Sequence, residues 1–220
     1  SQCCSIHRCN NWLTRCFTIE YAVWFRLILP GLIRLGFAIP LGGTTVFLRR
    51  SALIDVGGWD AHNVTEDADL GIRLARHGYQ TEMLSSTTYE EANNQIWPWV
   101  RQRSRWLKGY MMTYRVHMRS PKLLLQQLGL RRFVGFQIIF LASLSQFILA
   151  PVLWSFWIIP FGLPHPILPL LGPNAAQAVI SFFLTIIGAD IIISLFALSK
   201  TRHRGLGRYT PTLWLYFHLG

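Results

Sequence analysis

Apolar and polar positions divide this chain into stretches of different character. From Phe133 to Gly162 it reads FVGFQIIFLASLSQFILAPVLWSFWIIPFG, without one Asp, Glu, Lys or Arg. About 20 apolar residues suffice to cross a bilayer, so a transmembrane helix is expected over about 133–161. Pro151 removes one backbone hydrogen bond and tends to kink the axis, which leaves open a bent span or a span followed by an interfacial piece. Ala175 to Ser199 repeats the pattern with a single charge, Asp190, and reads as a second span at 175–199. The stretch 209–220, YTPTLWLYFHLG, is apolar but too short to cross, and is expected to begin a third span. Upstream, FTIEYAVWFRLILPGLIRLGFAIP spaces Glu20, Arg26 and Arg34 among apolar residues, as in amphipathic helices along a membrane surface; interfacial helices are expected over 17–39.

Between Pro40 and about Arg132 the pattern is that of a soluble part. PLGGTTVFLRR reads as a glycine turn, a strand through Thr44 to Phe47, and a short helix from Ser51 that Gly57 and Gly58 stop. VTEDADLGIRLARHGYQT reads as a helix with marked ends. Thr65 is the expected N-cap, and Glu66, Asp67 and Asp69 fill the first turn. Leu70 and Leu74 share a face, Arg73, Arg76 and His77 fill the last turns, and Gly78 terminates the helix. Compensation of the helix dipole accounts for such charges at ~0.3–1 kcal/mol each, so this pattern alone does not require a site. In WPWVRQRSRWLKGYMMTYR, Pro98 suits a first turn, and Gln102, Arg105, Trp106 and Gly109 fall on one helical stripe. A core face would be apolar throughout, and a solvated face seldom includes Trp. Arginine offers a planar fork for phosphate oxygens and tryptophan a flat surface for a sugar ring.

Charge sharpens the picture. The formal net charge is +11 with 51% hydrophobic and 14% charged residues. The acids cluster between Asp55 and Glu91 and the bases between Arg101 and Arg132. Arg119, Lys122, Arg131 and Arg132, close to the first span, are assigned to membrane lipid or to topology; Arg103 and Arg105 are not. Arg131 and Arg132 precede the first span, Lys200, Arg202, Arg204 and Arg208 follow the second, and the intervening loop has neither Lys nor Arg, so both flanks are expected in the cytoplasm. A pI near 10.2 could suit nucleic acid, but the spans and the lack of a recognisable motif argue for no nucleic acid partner. Cys3, Cys4, Cys9 and Cys16 crowd an atypical segment, 1–16, with His7 among them. No pair has Cys-x-x-Cys spacing, so reduced thiols are expected there rather than a metal site. Asp190, mid-span, suits either a path through the membrane or a packed structural site.

GGTTVFLRRSAL, GGWD, Thr65-Glu66-Asp67 and Gln102-Arg103-Ser104-Arg105-Trp106, followed by spans, together resemble the second half of a membrane-embedded family-2 glycosyltransferase. The relatives are the processive polysaccharide synthases, including cellulose, mannan, hyaluronan and chitin synthases. The resemblance runs from about Asn11 onward. It implies an α/β fold: an incomplete GT-A-like domain, the acceptor half, at 40–132, then transmembrane α-helices at 133–220. It also implies roles. Asp67 is the general base, supported by Thr65 and Glu66; Gly42, Gly43 and Thr44 contact the acceptor, and Trp106 stacks on its terminal sugar. Gln102, Arg103 and Arg105 hold the donor pyrophosphate. The reaction is an inverting in-line displacement from a nucleotide-sugar donor, UDP-glucose ahead of GDP-mannose, to a glycan acceptor. The family's Asp-x-Asp, which binds nucleotide and Mg2+ or Mn2+, has no counterpart before Pro40, where Glu20 is the sole acid. The expectation is therefore a fragment with no metal ligands of its own, dependent on a missing N-terminal half and placed in the bacterial inner membrane. A non-catalytic membrane protein derived from such an enzyme, binding lipid or a partner, is the alternative.

The chemistry is reasonable for those residues. A carboxylate that accepts the proton of a sugar hydroxyl can add ~10²–10⁴-fold. A helix N-terminus lowers that carboxylate's pKa while Glu66 and Asp69 raise it, two opposed effects.

Overall fold

The computed structural model describes residues 2–5, 11–43, 45–84, 86–201 and 203–219. His7, Cys9, Thr44 and Arg202 lie outside the described residues.

A short strand, β1 (Gln2–Ser5), precedes helix α1 (Trp12–Val23), which starts in a reciprocal cap: the Asn11 side chain accepts from the Thr14 N–H at 3.0 Å, and the Thr14 hydroxyl returns to the Asn11 backbone. The chain continues as a π-helical turn, Trp24–Ile28, into α2 (Leu29–Arg34). Pro30 explains the widened turn, since it has no N–H and its ring crowds the carbonyl four residues back. Then come α3 (Arg50–Asp55), α4 (Glu66–Arg76), strand β2 (Thr87–Glu90) and α5 (Ile96–His117). Helix α6 (Pro121–Phe136) runs through a π turn, Gln137–Leu141, into α7 (Ala142–Ser155) and a 3-10 turn, Phe156–Phe161. The chain ends with α8 (Leu168–Leu171), α9 (Ala175–Ser199), a 3-10 stretch Arg204–Thr212 and α10 (Leu213–Leu219).

Among the described residues, three helical stretches are long and apolar enough to cross a membrane: Trp12–Arg34, Pro121–Phe161 and Ala175–Ser199. The last two contain the spans read from sequence. Pro151 is carried inside α7 without ending it, and the sharp break lies instead at Gly129, whose φ of 72° and ψ of 163° leave the helical region. The Trp12–Arg34 stretch, read from sequence as interfacial, also packs inside the protein. Leu13, Cys16, Phe17 and Ile19 meet Trp99 of α5, Ala197 and Leu198 of α9, and Leu213 and Tyr216 of α10 in one core. The 209–219 stretch thus folds back onto α1, where Trp12 Nε1 donates to Thr212 Oγ1 at 2.8 Å.

Two further cores flank α4. Leu70 and Leu74 share a face, as their spacing requires, and pack with Ala52 and Val56. Ile72 and Ala75 face Leu124, Leu128 and Phe136 of α6 and Phe140 of the π turn that follows it. Helix α4 is therefore held from both sides. Helix is the dominant structure, with β1 and β2 paired in parallel over four residues each as the described sheet. The strand expected over Thr44 to Phe47 is corrected: among the described residues Thr45 forms a bend and 46–49 join no ladder, the Thr45 hydroxyl lies 2.8 Å from that of Thr88 in β2, and α3 begins at Arg50 rather than Ser51. A strand is defined by a neighbouring ladder, which local β-propensity cannot supply.

Candidate active site

The cluster of acids sits where α4 begins. Thr65 occupies the N-cap position, but its side chain makes no capping hydrogen bond to the helix. The first turn is satisfied differently: Asp67 Oδ1 accepts from the Ala68 N–H at 2.8 Å, and the Asp67 carboxylate also accepts from the Gly43 backbone N–H. Gly71, one turn on, explains how the Gly42–Gly43 loop reaches this place. A Cβ there would stand 2.5 Å from the Ile39 carbonyl and 2.9 Å from the Leu41 nitrogen, so only a bare glycine lets the 39–43 segment cross α4. Beyond the loop, Thr45 adopts a φ of 54°, a left-handed conformation that side chains rarely hold. Burial raises the Asp67 pKa above its ordinary value and Glu66 adds to this, while the N–H donors from Ala68 and Gly43 oppose it. The net shift is upward, and its main cause is burial, which is neither of the two opposed effects read from sequence.

Asp69 has the opposite environment. Burial alone would raise its pKa, but the hydrogen bonds from His117 and Arg73 and the charge of Arg73 hold it below the usual value. Arg73 Nε meets Asp69 Oδ2 at 2.7 Å, and Arg73 Nη1 reaches the carbonyls of Val56 and Gly58, each at 2.7 Å. One guanidinium thus ties α4 to the glycine loop before Trp59. His117, buried at the end of α5, places Nε2 3.0 Å from Asp69 Oδ1 and Nδ1 2.9 Å from Arg76 Nη1. A guanidinium can only donate, so Nδ1 presents its lone pair and Nε2–H donates to Asp69. Arg76 Nε in turn donates to Gln127 at 2.7 Å. At the far end of α4, Gly78 takes a φ of 83° and the Tyr79 N–H closes on the Leu74 carbonyl, the termination expected from sequence.

Helix α5 presents the mixed stripe. Gln102 is half-buried and accepts from Asn93 at 2.8 Å, Arg105 is exposed, and Trp106 packs partly buried against the α1 core. Gly109 is pressed against Thr65, where a Cβ would meet the Thr65 Oγ1 at 2.3 Å. Thr65 and the start of α4 are thereby brought within one turn of Trp106 along α5. Tyr110, next on the helix, has its pKa raised by burial and further by the charge of Asp67. Arg103 turns the other way. It pairs with Glu20 of α1, donates to the Tyr216 hydroxyl at 2.7 Å, and lies over the rings of Trp99 and Tyr216. Sequence reading assigned Arg103, with Gln102 and Arg105, to the donor pyrophosphate; its guanidinium lies in this cluster, while Arg105 is exposed.

Two openings lie beside the Gly42–Gly43 loop. One, about 580 Å³, is lined by Gly43, Trp59, Asp60, Ala61, Asn63 and Glu66. The other, about 480 Å³, runs behind Gly42 between Phe25, Leu41, Phe47 and the Gln80–Leu84 segment. For a divalent cation the residues present do not fit: among the described residues no three His, Cys, Asp or Glu gather as ligands, and Asp69 is already taken by Arg73 and His117.

Comparison with known proteins decides the ancestry of this arrangement. The profile described as glycosyl transferase family group 2 matches residues 1–193. The chain belongs to that family. Among its relatives, a probable glycosyltransferase of Bacillus subtilis (strain 168), YdaM, is 33% identical over 106 residues, 47% of this chain and 25% of that protein. The UDP-forming cellulose synthase catalytic subunit of Komagataeibacter sucrofermentans is 29% identical over 109 residues, 49% of this chain and 14% of the relative. A beta-monoglucosyldiacylglycerol synthase of Synechocystis (strain ATCC 27184) is 38% identical over 76 residues, 34% of this chain and 16% of the relative. The matched part thus covers a quarter or less of each of these relatives. No solved structure shows significant similarity.

In this family-2 glycosyltransferase chain, sequence reading missed the partners of Asp69 and of Arg103. His117 is 48 residues from Asp69, and Tyr216 is 113 from Arg103, so no local spacing signals either contact. The signal available was the continuation of the α5 stripe past Gly109 to Thr113 and His117, polar residues at helical spacing.

Proposed function

We propose that this chain forms the acceptor side of a membrane-bound, inverting family-2 glycosyltransferase with a GT-A-like catalytic domain, Asp67 being the general base. The observation that carries this reading is the Asp67 carboxylate itself. It stands at a helix N-terminus beside an open groove, held by the Gly43 N–H, with a pKa raised by burial. The acceptor's hydroxyl oxygen attacks the anomeric carbon of the donor sugar from the face opposite the nucleotide. As the new C–O bond forms, the hydroxyl proton passes to Asp67 and the bond to the pyrophosphate oxygen breaks, releasing the nucleoside diphosphate and inverting the carbon. A raised pKa suits this step, because the base binds the proton more strongly.

Exposed Arg105 meets the departing phosphate charge with Gln102 in support, and Trp106 offers its face to the acceptor sugar. Arg103, engaged by Glu20, contributes by holding this helix and reaches phosphate only if that pair opens. Thr65 and Glu66 flank the base, and Gly42, Gly43 and Thr44 face the acceptor. UDP-glucose is the donor favoured by the UDP-forming and glucosyl names of the relatives, and a glycan is the acceptor. The donor nucleotide and its Mg2+ or Mn2+ are held by residues other than those described, in the part of such enzymes outside the matched segment. By the distribution of Lys and Arg, the catalytic part faces the cytoplasm of a bacterial inner membrane.

The test is sugar transfer in isolated membranes from labelled UDP- and GDP-sugars with Mg2+ or Mn2+, by the chain alone and by the chain joined to a relative's donor-binding half. Transfer by the joined form that falls ~10²–10⁴-fold in Asp67→Asn is the expected result. Undiminished transfer by Asp67→Asn would overturn the assignment of the base.

A further inference from the structure

The stripe that sequence reading followed from Gln102 to Gly109 does not end there. Gly109, Thr113 and His117 recur at intervals of four on α5, which puts them on one face. All three are buried, and each meets one residue of the segment that carries Asp67. Gly109 abuts the Thr65 side chain. Thr113 Oγ1 accepts from Asn63 Nδ2 at 2.9 Å, and Asn63 Oδ1 accepts from the Thr65 N–H at 3.1 Å. His117 Nε2 meets Asp69 Oδ1 at 3.0 Å. These contacts fasten residues 63, 65 and 69, on both sides of Asp67, to the helix that two turns earlier bears Arg105 and Trp106.

We infer that Asn63, Thr113, Asp69 and His117 are positioning residues for sugar transfer: a buried polar ladder that sets the distance and angle between the Asp67 carboxylate and the Arg105–Trp106 face of α5. This rests on the reading of Asp67 as the base. The physical reason for polar rungs is registry. Apolar side chains would hold the two helices together with much tolerance for sliding, whereas each hydrogen bond, left unmade in a buried place, costs about 1–3 kcal/mol and so selects one register. His117 is further fixed by its second nitrogen. Arg76 donates to Nδ1 and is itself held by Gln127, and the ring of Phe136 stands edge-on to the imidazole at 6.0 Å between centroids. The imidazole is thereby confined to the tautomer with the proton on Nε2, the one that can serve Asp69.

None of these side chains needs to touch the substrate. Their effect is on where Asp67 stands when the acceptor hydroxyl arrives. A displacement of about 1 Å can cost about 100-fold in rate.

The test uses the joined enzyme of the transfer assay together with the chain in detergent. His117→Ala should lower kcat about 10- to 100-fold per folded molecule with KM for donor and acceptor little changed. His117→Gln, whose amide N–H can stand where Nε2–H stood, should restore most of that loss. Thr113→Val keeps the shape and removes the hydroxyl, and should lower kcat several-fold. Nitrogen-15 spectra of histidine in the detergent-solubilised chain, assigned by comparison with His117→Gln, should show His117 as the Nε2–H tautomer at neutral pH. An unchanged kcat in His117→Ala, or a loss equally large in His117→Gln, would overturn the positioning role while Asp67→Asn still abolished transfer. An Nδ1–H tautomer in the spectra would overturn the ladder itself, independently of any activity. Full transfer by Asp67→Asn would instead overturn the assignment of the base and, with it, the meaning of the ladder for catalysis.

Discussion

The two halves of α5 carry polar clusters of opposite character. The C-terminal half, Gly109 to His117, binds the α4 segment through short, buried contacts that include one neutral imidazole, an amide and a hydroxyl. The N-terminal half, Trp99 to Trp106, uses Arg103 to join α1 and α10 through Glu20 and Tyr216, where the Tyr216 hydroxyl donates to Glu20 at 2.6 Å. One half looks toward Asp67 and the other toward the apolar helices. Within a single motif, Arg103 is committed to the fold and Arg105, two residues on, is exposed and open to a ligand. The lesson is that one short motif can present two arginines on opposite faces of a helix, one packed into the fold and one exposed.

Exchanging the arginines breaks or sharpens this comparison most strongly. Arg105→Ala should lower transfer by the joined enzyme about 10²–10³-fold, the usual loss for one preorganised donor to developing charge, while leaving the melting temperature of the chain in detergent nearly unchanged. Arg103→Ala should do the reverse. Its side chain and that of Glu20 are 14% and 23% exposed, and removing one partner should cost about 1–3 kcal/mol, read as a lower melting temperature. Equal effects of the two changes on stability would erase the distinction. A smaller effect is expected at Gly71→Ala, which forces the 39–41 backbone off α4 at a cost of about 1–3 kcal/mol and withdraws the Gly43 N–H from Asp67; stability and transfer should fall together.

The smallest effects are those of pH on stability, and the two acids of α4 differ in sign. The folded pKa of Asp69 is lowered, so its contribution is present above the unfolded value and is lost as pH falls below about 4 toward the folded one. The folded pKa of Asp67 is raised, so its contribution is present in acid and is lost as pH rises through the folded value. Melting temperature measured against pH should therefore lose its acid-side slope in Asp69→Asn, while Asp67→Asn should be slightly more stable than the parent at neutral pH.

How much of this could be read in the sequence depends on the range of each interaction. The ends of α4 were legible because its acids, its bases and Gly78 act within one turn. The apolar stretches after Phe133 and Ala175 were legible because crossing a membrane requires only length and composition. The strand at 44–47 was misread because a ladder needs a partner elsewhere, and the break at Gly129 was hidden because a glycine in an apolar helix gives no sign of its φ. Asp67 was found through a resemblance. Its raised pKa came from packing that no local pattern records, and so did the pairing of Asp69 with His117 and of Arg103 with Glu20.

The rate of sugar transfer by the joined enzyme as a function of pH is the most direct test of Asp67 as the base. The rate should fall on the acid side through a pKa above 3.8, the ordinary aspartate value, and the residual transfer of Asp67→Asn should be flat over the same range. An acid limb that persists unchanged in Asp67→Asn would contradict the account.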